Sequence, residues 1–339
     1  MDVGSYKTLV TSRGLVYRYF CHRPSLDTLD RALGQEESPL PTLLFVHGFP
    51  TNSRVWQNQV AFFAGKGFPV LAPDLLAFGG SAKPLDPEVY VMSLVCQDLL
   101  DILDYEGVKE NVVAVGHDMG SKVVSRLANF HEDRFLGFAF LAVPYVPPRP
   151  NSNMELTAQA TKKMCGYELN GHFMFFSEED AAETVQRHLE SFYTLMFPED
   201  PKIWVTDLAP VGALRARLEA NKIGPYASYM RGEYEREWLE EFGQENAFPA
   251  PLCYFKGLVS GLHSEDDRVI PLEKYNITKP VFLGSPTHDY ISRSQISIVT
   301  VRHHCPNATI REFNDGRWFI ISSARQINHA LHSWVMDLV

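Results

Sequence analysis

The run VVAVGHDMGSKVV, residues 112–124, constrains this chain more than any other. It begins as an unbroken apolar stretch, the pattern of a strand buried on both faces. It ends in SKVVSRLANF, which has helical spacing. Between the two, Gly116 and Gly120 each stand two residues from Asp118. Glycines there permit a tight turn and close strand–helix approach, and they lift the central side chain above the sheet edge. The N-terminus of the following helix favours an anion at that point. A glycine-flanked aspartate can also do no more than cap a helix. With a strand before it and a helix after it, the turn that presents a nucleophile is the better reading. A carboxylate nucleophile attacks carbon and leaves an ester, which points to alkyl transfer rather than acyl transfer.

The rest of the chain supplies the sheet that such a turn needs. Apolar strand patterns occur in GLVYRYF (14–20), PTLLFVHG (41–48), FPVLAPD (68–74) and FLGFAFLAVPY (135–145), with a helical pattern over 88–108. This alternation implies a mostly parallel sheet flanked by helices. At residues 143–153 prolines accumulate, and prolines do not sit inside helices or central strands. From there to about residue 250 the patterns are helical and aromatic. Strand–helix order resumes at KPVFLGSPTHD (279–289) and ATIREFND (308–315). The expected organisation is one α/β core, 1–145 and 260–339, with a helical cap domain inserted at 146–259.

A chain of 339 residues, 45% hydrophobic and 21% charged, can bury such a core. Its net charge of −10 and the lack of a lysine/arginine run argue against nucleic acid and anionic membrane surfaces. The N-terminal stretch has no apolar signal-peptide core, and no apolar run is long enough to span a bilayer. The odd, irregularly spaced set Cys21, Cys96, Cys165, Cys253 and Cys305 fits free thiols in a reducing compartment, so a cytoplasmic location is expected. His303, His304 and Cys305 lack carboxylate partners at ligand spacing, so neither metal nor cofactor is expected.

HGFP (47–50) ends a buried strand, where backbone N–H groups can form half of an oxyanion hole; the amide after the nucleophile supplies the other half. With this motif placed, the chain resembles an α/β-hydrolase of the epoxide hydrolase branch, most of all its fungal members. TSRGLVYRY, FVHGFP, PDLLAFGGSAKP, GHDMGS, FLAVPYVPP, SEDDRVIP and PVFLGSPTHDY carry the resemblance in family order. It implies an α/β-hydrolase fold whose cap closes over the sheet edge. It also implies an aspartate that opens an epoxide, two cap tyrosines that donate a proton, and an acid-held histidine that activates water. Asp118 matches the nucleophile and Asp289 the acid. The backbones at Phe49 and Met119 match the oxyanion donors.

Other positions depart from that pattern. Where family members read G-H-W, this chain reads Gly316-Arg317-Trp318, so an arginine stands in place of the water-activating histidine. One cap tyrosine falls on Phe255, with Tyr254 one residue early, and the other falls on His172. Met119 stands where a tryptophan is usual, which sets aside haloalkane dehalogenases; the absence of G-x-S-x-G at the turn sets aside serine esterases. A guanidinium cannot accept a proton near neutral pH. The expected substrate is a hydrophobic small molecule, with Tyr254, Phe255, His47, Trp318 and Phe176 as contacts; a homodimer stays open. Three readings follow. The first is a natural-product tailoring enzyme in which Arg317 pairs Asp118 with Asp289 and His172 serves as cap-side acid or base. The second is an epoxide hydrolase with a relocated base such as His288. The third is a binding protein without catalysis.

Overall fold

In a computed structural model, residues 1, 5–24 and 40–339 are described. Part of the N-terminal stretch read for a signal sequence, residues 2–4, lies outside them. Eight strands form one sheet: β1 (Tyr6–Val10), β2 (Val16–His22), β3 (Thr42–Val46), β4 (Val70–Pro73), β5 (Val112–His117), β6 (Phe135–Leu141), β7 (Val281–Pro286) and β8 (Ala308–Phe313), in the order β1-β2-β4-β3-β5-β6-β7-β8. β1 pairs antiparallel with β2, and β2 with β4; the pairings from β4 through β8 are parallel. Every residue of β3, β4, β5 and β7 is buried, as expected of strands covered on both faces.

The helices that cover the sheet before the insertion are α1 (Gln57–Ala64), α2 (Met92–Tyr105) and α3 (Met119–His131). Between β6 and β7 come α4 (Met154–Cys165), α5 (Gly171–Phe176), α6 (Ala181–Arg187), α7 (Leu189–Met196), α8 (Trp204–Asp207), α9 (Ala213–Glu219), α10 (Glu233–Phe242), α11 (Cys253–Val259) and α12 (Leu262–Asp267). α13 (Ser294–His304), α14 (Phe319–Ser322) and α15 (Ala324–Met336) complete the chain. The helical pattern of 178–197 is cut in two at His188, whose φ of −117° and ψ of 40° leave the helical basin. That of 211–230 keeps α9 and a 3-10 turn at Ser228–Met230; Gly224-Pro225 between them cannot propagate a helix.

The helical segment is fastened to the core. From α10, Trp238 Nε1 donates to the Pro50 carbonyl (2.9 Å), Glu237 meets Arg54 (2.6 Å) and Glu241 accepts from the Gly79 N–H (2.5 Å). From the other side, Trp318 Nε1 donates to the Met196 carbonyl at the end of α7 (2.8 Å). None of the five cysteines is disulfide-bonded. Among the described residues, no helix is long and apolar enough to cross a membrane.

Candidate active site

The parallel strands all end at one edge, and the loops beyond their C-terminal ends carry the site, as is general for open α/β sheets. Asp118 sits between β5 and α3 with φ 56° and ψ −126°, a conformation unfavourable for any residue with a Cβ. Its neighbours make that turn possible. A Cβ on Gly120 would lie 2.1 Å from the Val46 carbonyl oxygen of β3, and one on Gly48 would lie 2.4 Å from the Asp118 Cβ. Only glycine lets the helix and the loop after β3 approach so closely.

Both carboxylate oxygens of Asp118 are engaged. The Phe49 N–H donates to Oδ1 (3.0 Å), and Arg317 Nη1 donates to Oδ2. Met119 opens α3, so its N–H belongs to the first-turn donors that have no acceptor within the helix. Asp289, beyond β7, is buried. Its Oδ1 accepts from the N–H groups of Ile291 (2.9 Å) and Ser292 (2.8 Å). Arg317 Nη2 reaches this carboxylate too, 3.3 Å from Oδ1 and 3.1 Å from Oδ2, the latter an ion-pair contact without hydrogen-bond alignment. Arg317 thus bridges the two carboxylates that the sequence assigned as nucleophile and acid.

Burial alone would pull the Arg317 pKa down; Asp289 and then Asp118 outweigh it, and the guanidinium stays charged. Burial pushes the Asp289 pKa above its ordinary value, with Arg317 and the two backbone N–H groups opposing it. His117, beside Asp118, donates from Nε2 to the Arg317 carbonyl (2.9 Å) and packs on Trp56 and Trp318. It holds the arginine in place from behind, a role the sequence reading did not give it.

A cavity of about 850 Å³ opens above Asp118, between the sheet edge and the helical segment. Asp118, Arg317, His172, Phe49, Met119, Tyr254, Phe255, Trp318 and Phe176 line it, as does the unforeseen Trp204, whose ring faces the Arg317 guanidinium at 5.8 Å. Phe255 packs on Phe49 (5.1 Å) and Phe176 (4.8 Å), making an aromatic wall where the family pattern has a hydroxyl. The Tyr254 hydroxyl does not replace it. That ring packs on Phe78 and Tyr90, and the groups acting on its hydroxyl are Tyr90, Asp98 and Arg13, behind the cavity wall. His172 is buried against Phe173 (4.5 Å); burial and then Arg317 lower its pKa to about 3, so it is a neutral imidazole.

Two assigned residues lie outside the cavity lining. Asp289 acts on it through Arg317. His47, expected to touch substrate, is a brace instead: its Nε2 accepts from the Leu75 N–H (2.9 Å), which leaves Nδ1–H to donate to the Gly48 carbonyl (2.9 Å). A histidine whose two nitrogens both close loop hydrogen bonds has none left for a ligand. The side chain of His288, the suggested relocated base, is exposed and also outside the lining.

Strand order, the strained aspartate turn and the acid after β7 together define the class. The alpha/beta hydrolase fold family matches residues 41–324, and the chain belongs to it. Epoxide hydrolases are among its homologues. It is 24% identical over 298 residues to bifunctional epoxide hydrolase 2 of Rattus norvegicus, covering 87% of this chain and 51% of that protein. It is 27% identical over 312 residues to bifunctional epoxide hydrolase 2 of Mus musculus, covering 88% and 52%. The chain therefore spans about half the length of these curated relatives. A solved structure of a Vigna radiata epoxide hydrolase mutant superposes with a TM-score of 0.75 over 98% of both chains at 19% identity, a likeness of fold.

Proposed function

We propose that this epoxide hydrolase-like enzyme acts without hydrolysis on a hydrophobic natural-product intermediate, a polyketide or terpenoid, by cyclisation, isomerisation or elimination. The observation that carries this reading is the Arg317 clamp between Asp118 and Asp289. A carboxylate whose two oxygens are bound by a guanidinium and a backbone N–H is a weakened nucleophile, because those donors stabilise the charge it would have to give up. No base stands at position 317 to hydrolyse an ester, and a positioned base is worth about 10²–10⁴-fold. Asp118 then serves as fixed charge. His172, with its pKa near 3, is a weak base at neutral pH and suits the role of a neutral hydrogen-bond donor to an oxygen gaining negative charge. The aromatic walls of Phe49, Phe176 and Phe255 support a hydrophobic substrate.

The test is intact-protein mass spectrometry after incubation with simple aryl and alkyl epoxides, with diol analysis of the supernatant and Asp118→Asn as control. Neither adduct nor diol is expected from the native chain, and Arg317→His is expected to release Asp118 and give one or both. An adduct on the native chain that is lost in Asp118→Asn would show that the nucleophile still works and only hydrolysis has failed. Diol from the native chain would sink the proposal in favour of a relocated base. Tight stoichiometric binding of a natural-product ligand with no turnover would favour the non-catalytic reading.

A further inference from the structure

The same cavity has a second polar pole, one helical turn along α3 from Asp118. Lys122 lines the cavity, and its Nζ lies 2.6 Å from Nδ1 of His263 on α12. His263 is buried; its Nε2 has no hydrogen-bond partner and faces Gly257. Among the described residues Lys122 forms no ion pair. The acids nearby are already taken. Asp267 accepts both arms of Arg126 (2.6 and 2.8 Å) and the Arg149 N–H (2.7 Å), and Asp266 accepts the Ser93 N–H (3.0 Å) and hydroxyl. Burial first, then Arg126 and Arg149, lower the Lys122 amine to about 7 against the pull of Asp267 and Asp266. Burial with Lys122 and Arg126 keeps His263 neutral.

A neutral amine that donates one N–H to His263 Nδ1 keeps its electron pair free. Lysines desolvated beside other cations are the ones that act as nucleophiles. We propose that Lys122 is a carbonyl-reactive amine and that the cavity captures hydrophobic aldehydes or ketones there as imines. The amine nitrogen attacks the carbonyl carbon. Its two N–H protons leave with the carbonyl oxygen as water, and a C=N bond replaces C=O with no change of oxidation state. The proposal goes beyond the one made for Asp118 and does not depend on it.

The experiment is incubation of the native chain with cinnamaldehyde and sodium cyanoborohydride, which reduces an imine to a stable secondary amine, followed by peptide mapping. One dominant adduct is expected on Lys122 at pH 7.5, about tenfold or more above any exposed lysine such as Lys163 or Lys222, because an ordinary lysine titrates near 10.4. Labelling is expected to rise with pH through about 7. It should persist in Asp118→Asn, which separates this site from the Asp118 proposal, and vanish from this position in Lys122→Gln, which stays neutral, can still donate an N–H and cannot form an imine. Label spread over surface lysines according to exposure, or a native chain unlabelled at Lys122, would overturn the inference, and neither result needs a variant to fold.

Discussion

Removing the guanidinium of Arg317 would leave Asp118 and Asp289 with no cation between them. Breaking a buried ion pair from one side typically costs about 3–5 kcal/mol, since the charge left behind has lost its compensation. Arg317→Met is therefore expected to lower the unfolding free energy by that order, read as a lower urea midpoint, and adding Asp118→Asn to recover part of it. An unchanged midpoint in the single variant would mean that the clamp contributes nothing. Three other buried side chains set a pH dependence. Burial lowers the pKa of His47 and His117 to about 4 and of His172 to about 3, from an ordinary 6.5. Below pH 6.5 the unfolded chain takes up protons that the folded chain refuses, so stability falls as pH drops from 6.5 towards 4. The shifts of His47 and His117 correspond to ~3 kcal/mol each at the acid end, and that of His172 to ~5 kcal/mol. Melting temperature should decline across that window, and His47→Gln, which can keep both loop hydrogen bonds, should flatten the decline; an unaltered slope would refute the assignment. The positions of Asp118 and Asp289 at the sheet edge were legible because glycines and strand ends mark their places. The bracing role of His47 was not, since nothing in HGFP says which way an imidazole turns. Nor was the Lys122–His263 contact, which joins residues 141 positions apart.

The turn between β5 and α3 is the element on which the site rests, and its tolerance is small. Gly120→Ala would drive a methyl group into the backbone of β3, where no side chain can move aside. Overpacking of this kind costs about 1–3 kcal/mol or more, and we expect a loss of at least that order in denaturant unfolding, together with a displaced Asp118. Wild-type stability in that variant would show that the helix can retreat from the strand. The central strands were legible because each reads as a continuous apolar run, and β3, β4, β5 and β7 are wholly buried. β1 was passed over: YKTLV is short and only partly buried at the sheet edge, so its pattern is weak. The helices between β6 and β7 were legible as helical but not in their breaks, because a residue such as His188 leaves the helical basin for reasons of packing that no local pattern records.

Across the whole molecule, the contacts of α10 with the loops after β3 and β4 hold the helical segment over the sheet edge. Glu241 is half-buried there, and desolvation raises its pKa. Glu241→Ala would strip the Gly79 N–H of its acceptor at a cost of about 1–3 kcal/mol. Amide exchange should quicken in residues 233–242 and 79–80 while the β5 and β6 amides keep their protection. Uniform acceleration would mean that the segment and the sheet unfold as one unit. The clamp at the centre of the site has one more consequence. Two carboxylates share a single guanidinium beneath a cavity walled by aromatic rings, so that end of the cavity carries more negative than positive charge. Ring faces attract cations as well. A bound molecule that passes through a carbocation would find its positive charge solvated there by fixed groups.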